Sequence, residues 1–154
     1  MKKIIGVDPG LNGAIAYYDG SLLTVHDMPT IQDGTKRRVD HTQLAVIFDV
    51  MGKNSGNRCV VEKVHSMPGN GHAGAFTFGR CAGIVIGVAA ANFLPLEEVT
   101  PQVWKRVTKT PADKDGARLR ASELMPQYAA LWSLKKHDGR AEAALIAYYG
   151  YHFT

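Results

Sequence analysis

Four acidic side chains occupy positions from which carboxylates could act together on one substrate. Asp8 ends the apolar run "KIIGVD", and Glu62 lies within the apolar run "RCVVEKV". Asp138 and Glu142 are separated by one helical turn, so they share a face of a predicted helix. A carboxylate in an apolar run needs a partner or a metal ion, because desolvating it alone is costly. Together, these oxygen ligands predict a site for Mg²⁺ or Mn²⁺.

Each of these acids also has a purely structural interpretation. The strand-end Asp could cap the turn that follows it, and Glu62 could pair with Lys63 or Arg58. The two helical acids could both favour the positive end of the helix dipole, with Arg140 or Lys136 nearby. No competing Ser/His/Asp or Cys/His arrangement is visible, because the six histidines are scattered along the chain.

The elements that must position the acids follow an α/β pattern. Three short strands are joined by tight turns, so they must run antiparallel as a meander. Helices and strands then alternate, which predicts a mixed sheet with helices packed on it. The segment "TIQDGTKRRVDH" is polar and basic and is predicted to be a loop. The predicted strands are Ile4–Asp8, Ala14–Tyr18, Leu22–His26, "RCVVEKV" and Leu96–Val99; the predicted helices run from Asp40 or Thr42 to Met51, from about Ala75 to Ala91, from Thr100 and Pro101 onward, through "PADKDGARLRASELMP", and from Asp138 to about Tyr149.

Length and composition limit the function classes. The 154 residues predict one domain spanning 1–154, and the formal net charge of +4 favours a polyanionic partner. Cys59 and Cys81 lack the spacing of a zinc site or disulfide framework, which suits a reducing cytosol. The apolar stretch "AGIVIGVAAANFLPL" is shorter than a membrane span. We therefore expect a cytoplasmic protein with no membrane partner.

Six segments, which together span nearly the whole chain, carry a family resemblance. In order they are "GVDPGLNGA", "VVEKVH", "GHAGAFTFGRCAG", "TPQVWK", "DKDGARLRA" and "HDGRAEAALIAYY". This ordered set resembles RuvC-like Holliday junction resolvases of the RNase H-like superfamily, particularly the short phage versions. The resemblance implies a mixed sheet with helices on both faces. It also matches Asp8, Glu62, Asp138 and Glu142 to the four acids that bind two metal ions. Bacterial members often space the last two acids three apart and end in Asp, so the separate roles of these two stay open, as does a contribution from His137.

The activity implied by the resemblance is that of a crossover junction endodeoxyribonuclease. Two Mg²⁺ or Mn²⁺ ions can activate water, stabilise the phosphate and neutralise the leaving oxygen. The expected reaction is paired nicking of opposing strands of a four-way or other branched DNA, in the cytoplasm of a bacterial host if the protein is phage-encoded. A four-way junction has two-fold symmetry, so the resemblance implies a homodimer. Gly79, Gly83 and Gly87 recur every four residues and permit close helix approach, either within the chain or to a partner.

The same resemblance assigns several basic residues to DNA. Lys105 in "PQVWK" and Lys114 in "DKDGAR" match lysines that contact DNA near the active site, although each could instead belong to a solvated helix face. The full predicted DNA-binding set is Lys105, Lys114, Arg80, Arg118 and His65. Relatives often carry an aromatic wedge in the loop after the Glu, but "HSMPGNGHAG" has none. Insertion into the junction would therefore fall to His65 or Met67.

Three other functions are compatible with these residues. An actin-like or sugar-kinase-like fragment would use the glycine-flanked turn after Asp8 for nucleotide phosphates, although a second phosphate loop is missing. A non-catalytic relative would bind branched DNA without cleaving it. A nuclease specific for flaps or replication forks would share every acid named above.

Overall fold

A five-stranded mixed sheet forms the centre of the fold in the computed structural model, which describes residues 2–52, 56–63, 65, 68–69 and 71–154. Its strand order is β3-β2-β1-β6-β7, with a separate two-stranded sheet of β4 and β5. The strands are β1 (Lys3–Asp8), β2 (Ala14–Tyr18), β3 (Leu23–Asp27), β4 (Thr30–Asp33), β5 (Lys36–Val39), β6 (Asn57–Glu62) and β7 (Leu96–Val99). The helices are α1 (His41–Gly52), α2 (Gly71–Ala91), α3 (Pro101–Thr108), α4 (Lys114–Leu124) and α5 (Asp138–Phe153), with 3₁₀ segments at Pro126–Trp132 and Lys135–His137.

The pairing of the strands confirms the predicted mixed sheet. β1, β2 and β3 form the antiparallel meander, whereas β6 and β7 add to β1 in parallel. The turn between β2 and β3 is closed by Asp19, whose carboxylate accepts backbone N–H bonds from Ser21 and Leu22. Gly20 in the same turn has a φ of 94°, a conformation that glycine adopts without steric cost. The third strand begins one residue later than predicted, at Leu23.

Residues packed on both faces of the sheet form two hydrophobic cores. One core joins α3, α4 and α5 to the face that carries Ile4 and Val60, and it contains the buried Trp104 and Trp132. The other joins α1 and α2 to the face that carries Ile5. Neighbouring residues of β1 therefore point into opposite cores, as the alternation of a strand requires. The expectation of helices on both faces is confirmed.

The loop predicted for "TIQDGTKRRVDH" is wrong. Residues of this segment pair as an antiparallel hairpin of β4 and β5, with Thr30 opposite Val39 and Asp33 opposite Lys36. The "DG" dipeptide is a hairpin signal, and Gly34 adopts a φ of 63° in the turn. Both strands are largely exposed, so they lack the alternating apolar residues by which strands are usually recognised.

Helix α2 also differs from expectation, because it begins at Gly71 and continues for 21 residues. By length and composition alone this helix could cross a membrane, so the argument that the apolar stretch is shorter than a membrane span does not hold for α2. The absence of a membrane partner stays a prediction. Core helices of soluble proteins meet the same criteria, and α2 contacts the second core through Cys81, Val85 and Ala89. Most residues of α2 are nevertheless exposed, and 17% of its most apolar 18-residue stretch is buried.

The predicted helix starts are confirmed in part. Asp40 caps α1, since its carboxylate accepts the backbone N–H of Gln43 at 3.0 Å. Thr100 stands at the start of α3 as predicted, but its side chain makes no capping hydrogen bond. Asp113 caps α4 by accepting the backbone N–H of Gly116.

Candidate active site

Two of the predicted acids are brought together by the parallel pairing of β1 and β6. Val7 is paired with Val61, so the next residues along the two strands, Asp8 and Glu62, end at the same edge of the sheet. This edge is formed by the carboxyl ends of parallel strands, where ligands of open α/β sheets usually bind. The sheet register alone therefore places two carboxylates side by side.

Helix α5 supplies the other two acids to the same edge. It begins at Asp138 and lies across β1 and β2. Gly139 permits the close approach, because a Cβ there would overlap the carbonyl oxygen of Asn12 and lie 3.0 Å from Gly13 Cα. The start of α5 consequently rests on the turn that follows Asp8.

A cavity of about 400 Å³ is lined by all four predicted acids. Its wall also includes the turn at residues 10–13, the first turns of α2 at Thr77 and Phe78, and Lys114 of α4. We call this the acidic cavity. The acids come from three separate elements, so their convergence depends on the whole fold and not on local sequence.

Consecutive residues of α3 hold two of the acids. The indole N–H of Trp104 donates to Glu62 Oε2 at 2.7 Å, and Lys105 Nζ lies 3.0 Å from Glu142 Oε1. Both members of the ion pair are largely shielded, since the side chain of Lys105 is 19% exposed and that of Glu142 is 15% exposed. Hydrogen bonds to buried charges are stronger than those in water and fix the orientation of the carboxylate. Helix α3 therefore orients Glu62 and Glu142.

Asp138 and Asp8 have different surroundings. Lys114 Nζ lies 2.9 Å from Asp138 Oδ2, and this hydrogen bond raises the pKa of the lysine. From the described residues, the Asp8 carboxylate receives one hydrogen bond, a long contact of 3.5 Å from the backbone N–H of Gly10. Burial, followed by the charges of Glu142 and Glu62, raises the pKa of Asp8 to about 8. Burial likewise raises the pKa of Glu62, outweighing its hydrogen bond from Trp104.

The acidic cavity holds more carboxylates than lysines, an excess that an additional cation would offset. Four carboxylates share the acidic cavity with one lysine of its lining, and a second lysine contacts Glu142. Asp8 is surrounded chiefly by charges of its own sign. Carboxylate oxygens are the preferred ligands of Mg²⁺ and Mn²⁺. Within the described part of the chain, however, no three such side chains are already grouped as a preformed metal cluster.

Two of the pairings considered for the acids, those with Arg58 and with Arg140, are wrong. Arg58 lies 3.6 Å from Glu97 and not against Glu62. Arg140 binds both carboxylate oxygens of Asp27, at 2.7 and 2.8 Å, and so does not neutralise the acids of its own helix. Among the described residues, the side-chain partners of these acids are therefore Trp104, Lys105 and Lys114.

His137, whose contribution the sequence left open, does not line the acidic cavity. It precedes α5 without making a side-chain capping bond. The residue is half-buried, and among the described residues its Nδ1 atom is buried without a hydrogen-bond partner. Burial lowers the pKa of this histidine. It lines a neighbouring cavity instead, beside Asp138.

The predicted DNA-binding residues have different environments. Lys105 and Lys114 face the acidic site, although Lys114 is 75% exposed. Arg118 is engaged within the chain, with Asp115 at 2.8 Å and the carbonyl oxygens of Trp132 and Ser133 as acceptors. Arg80 is exposed on α2, and His65 is exposed beyond β6. Met67 lies outside the described residues. Contact of these residues with DNA stays a prediction.

Three residues of the site were not identified as functional from the sequence. Trp104 was noted only within "PQVWK", and its bond to Glu62 spans 42 positions. Asn12 accepts a hydrogen bond of 2.6 Å from Arg37, which belongs to the hairpin mistaken for a loop. Phe78 is 43% exposed and lines the acidic cavity. Helix α2 therefore supplies an aromatic side chain at the site, whereas the sequence of the loop before it has none. The sequence signal for Phe78 was its place in the quoted "GHAGAFTFGRCAG" segment.

The glycine stripe of α2 faces away from the rest of the described chain. A Cβ at Gly79, Gly83 or Gly87 would meet no atom within 4 Å. The intramolecular alternative, in which these glycines permit close packing against the sheet, is therefore wrong.

The sequence leads us to expect metal-dependent cleavage of branched DNA. We predict that Trp104→Phe lowers the rate of this cleavage tenfold to a hundredfold, because side chains that orient metal-binding ligands typically contribute about that much. Phenylalanine keeps most of the buried ring but cannot donate to Glu62. Trp132→Phe is the matched control, since its indole N–H donates to Ser122 at 2.9 Å, outside the acidic cavity. Single-turnover cleavage and thermal melts of both variants separate the effects. Equal loss of rate in the two variants would show that Trp104 acts only through stability.

Comparison with known proteins identifies the fold. No protein-family model and no curated protein matches the chain. It is similar to the structure of T. thermophilus RuvC in complex with a Holliday junction substrate, with 15% identity, a TM-score of 0.61, and coverage of 96% of this chain and 90% of that chain. It is also similar to a second Thermus thermophilus RuvC structure, with 17% identity, a TM-score of 0.57, and coverage of 94% and 90%. The chain thus has a RuvC-like, RNase H-like fold.

Proposed function

We propose that this RuvC-like chain is a metal-dependent endonuclease that cleaves branched DNA, with four-way junctions as the preferred substrate. The observation that carries the proposal is the convergence of Asp8, Glu62, Asp138 and Glu142 on one cavity at the carboxyl edge of the sheet. The similar structure bound to a Holliday junction supports the choice of substrate.

Asp8, Glu62, Asp138 and Glu142 would hold Mg²⁺ or Mn²⁺, in a two-ion site if the family pattern applies. Such ions activate water and neutralise charge that develops on a phosphodiester. The protein orients Glu62 through Trp104 and Glu142 through Lys105, from neighbouring positions of α3. Because the two orienting residues are adjacent, one rigid helix sets the relative positions of two ligands.

Lys114 is suited to bind a DNA phosphate next to the acids. Its side chain is largely exposed, although it contacts the shielded Asp138. An exposed ammonium group can exchange a carboxylate for a phosphate with little desolvation cost. We propose that Lys114 contacts the backbone when DNA is bound and that Asp138 is then released to bind metal.

A homodimer would allow the two cuts that a four-way junction requires. Its interface would be the face of α2 that presents Gly79, Gly83 and Gly87. The glycines would allow the backbones of two α2 helices to approach closely. Such an interface would cover apolar surface of α2 that the described part of the chain leaves exposed.

The proposal is tested by comparing labelled four-way, three-way, flap and linear duplex DNAs with Mg²⁺ and with Mn²⁺. We expect cleavage of the four-way junction to be fastest and to stop in EDTA. On a supercoiled plasmid with an extruded cruciform, a dimer should produce linear DNA, because both cuts occur within one binding event. A monomer should release nicked circles first.

Two outcomes would redirect the assignment. Tight junction binding without cleavage in either metal would identify a non-catalytic branched-DNA-binding protein. Faster cleavage of flaps than of four-way junctions would keep the nuclease site but change its substrate. Failure to bind any of these DNAs would remove the proposal altogether.

A further inference from the structure

We propose that the β4–β5 hairpin and the adjoining start of α2 form a second DNA-backbone surface, which holds a duplex arm leaving the acidic cavity. This inference rests on the proposed function, and it deepens that function by assigning a surface to the DNA. A cavity of about 270 Å³ separates the hairpin from α2. We call it the hairpin cleft; its lining includes Leu11, Lys36, Arg37, Arg38, Phe76 and Arg80.

The hairpin cleft carries an excess of positive charge, because Lys36, Arg37, Arg38 and Arg80 line it together with a single carboxylate of the described residues, that of Asp33. Lys36, Arg37 and Arg80 are exposed, and no carboxylate of the described residues lies within ion-pair distance of any of them. Arg38, by contrast, is paired with Asp33 at 3.4 Å. Three unneutralised cations from two separate elements repel one another unless an anion is present. A polyanion that lies along the cleft would remove this repulsion.

A third cavity shares lining residues with both the hairpin cleft and the acidic cavity. This intermediate cavity, of about 530 Å³, shares Leu11 and Arg37 with the hairpin cleft. It also shares Asn12, Lys114 and Asp138 with the acidic cavity, and Lys136 adds a further exposed cation. The three cavities therefore adjoin one another and outline a path over the surface. Cations line this path from Arg80 to Lys114, where they could contact successive backbone phosphates.

Arg37 ties this path to the turn beside Asp8. Its Nη2 atom donates to Asn12 Oδ1 at 2.6 Å. Asn12 in turn lies against Gly139 at the start of α5, where a Cβ would overlap its carbonyl oxygen. A guanidinium group has five N–H donors, so Arg37 can keep this bond and also contact a phosphate. This hydrogen bond therefore links the hairpin to the turn that follows Asp8.

The test measures binding of a four-way junction in EDTA over a series of salt concentrations, using variants on both elements. Arg37→Gln and Arg80→Gln should each weaken binding about tenfold at about 0.1 M salt and flatten the salt dependence by about one unit of slope, since each lost phosphate contact releases one condensed counterion less. Arg37→Lys should restore most of the slope. Lys2→Gln is the matched control, because Lys2 lies just before the opposite end of β1 and its substitution removes the same charge.

The outcomes separate this inference from the proposed function. Normal binding and cleavage by wild type, with unchanged salt slopes for both arginine variants, would overturn the hairpin surface and leave the nuclease assignment intact. Absence of junction binding by wild type would overturn both. If Lys2→Gln lost as much junction affinity and salt dependence as Arg37→Gln, the effect would be one of overall charge, and the hairpin surface would also be overturned.

Discussion

Asp8→Asn is expected to reduce Mg²⁺-dependent cleavage of a four-way junction by about a thousandfold or more while leaving junction binding intact. Asp8 ends the central strand of the sheet and lines the acidic cavity. Loss of a carboxylate ligand removes several kcal/mol of charge stabilisation, and each 1.4 kcal/mol is about tenfold in rate. Asparagine keeps the shape of the side chain, so the DNA surface should be unaffected. Single-turnover cleavage and binding in EDTA measure the two effects separately.

The same substitution should stabilise the metal-free protein in a defined pH range. Burial and the neighbouring carboxylates raise the pKa of Asp8 from 3.8 to about 8. Between these values the unfolded chain has released the proton that the folded protein retains, so wild type loses stability as the pH rises from about 4 to about 8. The asparagine side chain in the variant does not titrate. The advantage of Asp8→Asn in melting temperature should therefore grow across that range and become constant above it.

Asp19→Asn is the matched control for the melts, because backbone N–H bonds lower the pKa of Asp19. Its contribution has the opposite sign: it is present above the unfolded pKa and is lost as the pH falls through the folded pKa. Thermal melts in EDTA from about pH 4 to about pH 9 cover the titration of Asp8. Asp19 stays ionised across this range, so the difference in melting temperature between Asp19→Asn and wild type should stay constant there. An Asp8→Asn protein that is less stable than wild type throughout would identify Asp8 as a structural acid. Retained cleavage by that variant would remove the four-carboxylate site.

Gly6→Ala is expected to destabilise the fold by about 3 kcal/mol or more, at the upper end of the effects of overpacking a core. A Cβ at Gly6 would lie 2.5 Å from the carbonyl oxygen of Ala143 and closer still to the backbone nitrogen of Ala147. These are backbone atoms of α5, so no side-chain rotation can relieve the overlap. The helix would have to move away from β1, and its two acids would move with it.

Gly52→Ala provides the control for this effect. A Cβ there would meet the side chain of Leu94 at 3.4 Å, an ordinary contact with a flexible group. Urea unfolding in EDTA should show a change within about 0.5 kcal/mol for Gly52→Ala, as is usual where no special feature is disturbed. Equal stability of Gly6→Ala and Gly52→Ala would contradict the close docking of α5 on β1.

The sequence was sufficient to predict the elements whose signals are local. β2, β7 and the mixed sheet follow from apolar strands, tight turns and alternation of helices and strands, and all are confirmed. Asp8 could be placed at a strand end because it follows directly on a buried run, whereas Glu62 was placed within the predicted strand "RCVVEKV" and in the structure ends β6. The shared face of Asp138 and Glu142 follows from helical geometry alone. These inferences need only neighbouring residues.

The tertiary structure decided which distant groups meet. The bonds from Trp104 to Glu62 and from Lys105 to Glu142 span 42 and 37 positions, so their partners depend on sheet order and on the docking of α3. The need for glycine at position 6 arises from α5, at the opposite end of the chain. The β4–β5 hairpin was missed because its exposed strands bury few apolar side chains and so leave little periodic signal. Sequence patterns record how each segment buries its own residues, whereas the site is made by segments that come into contact only after the sheet has assembled.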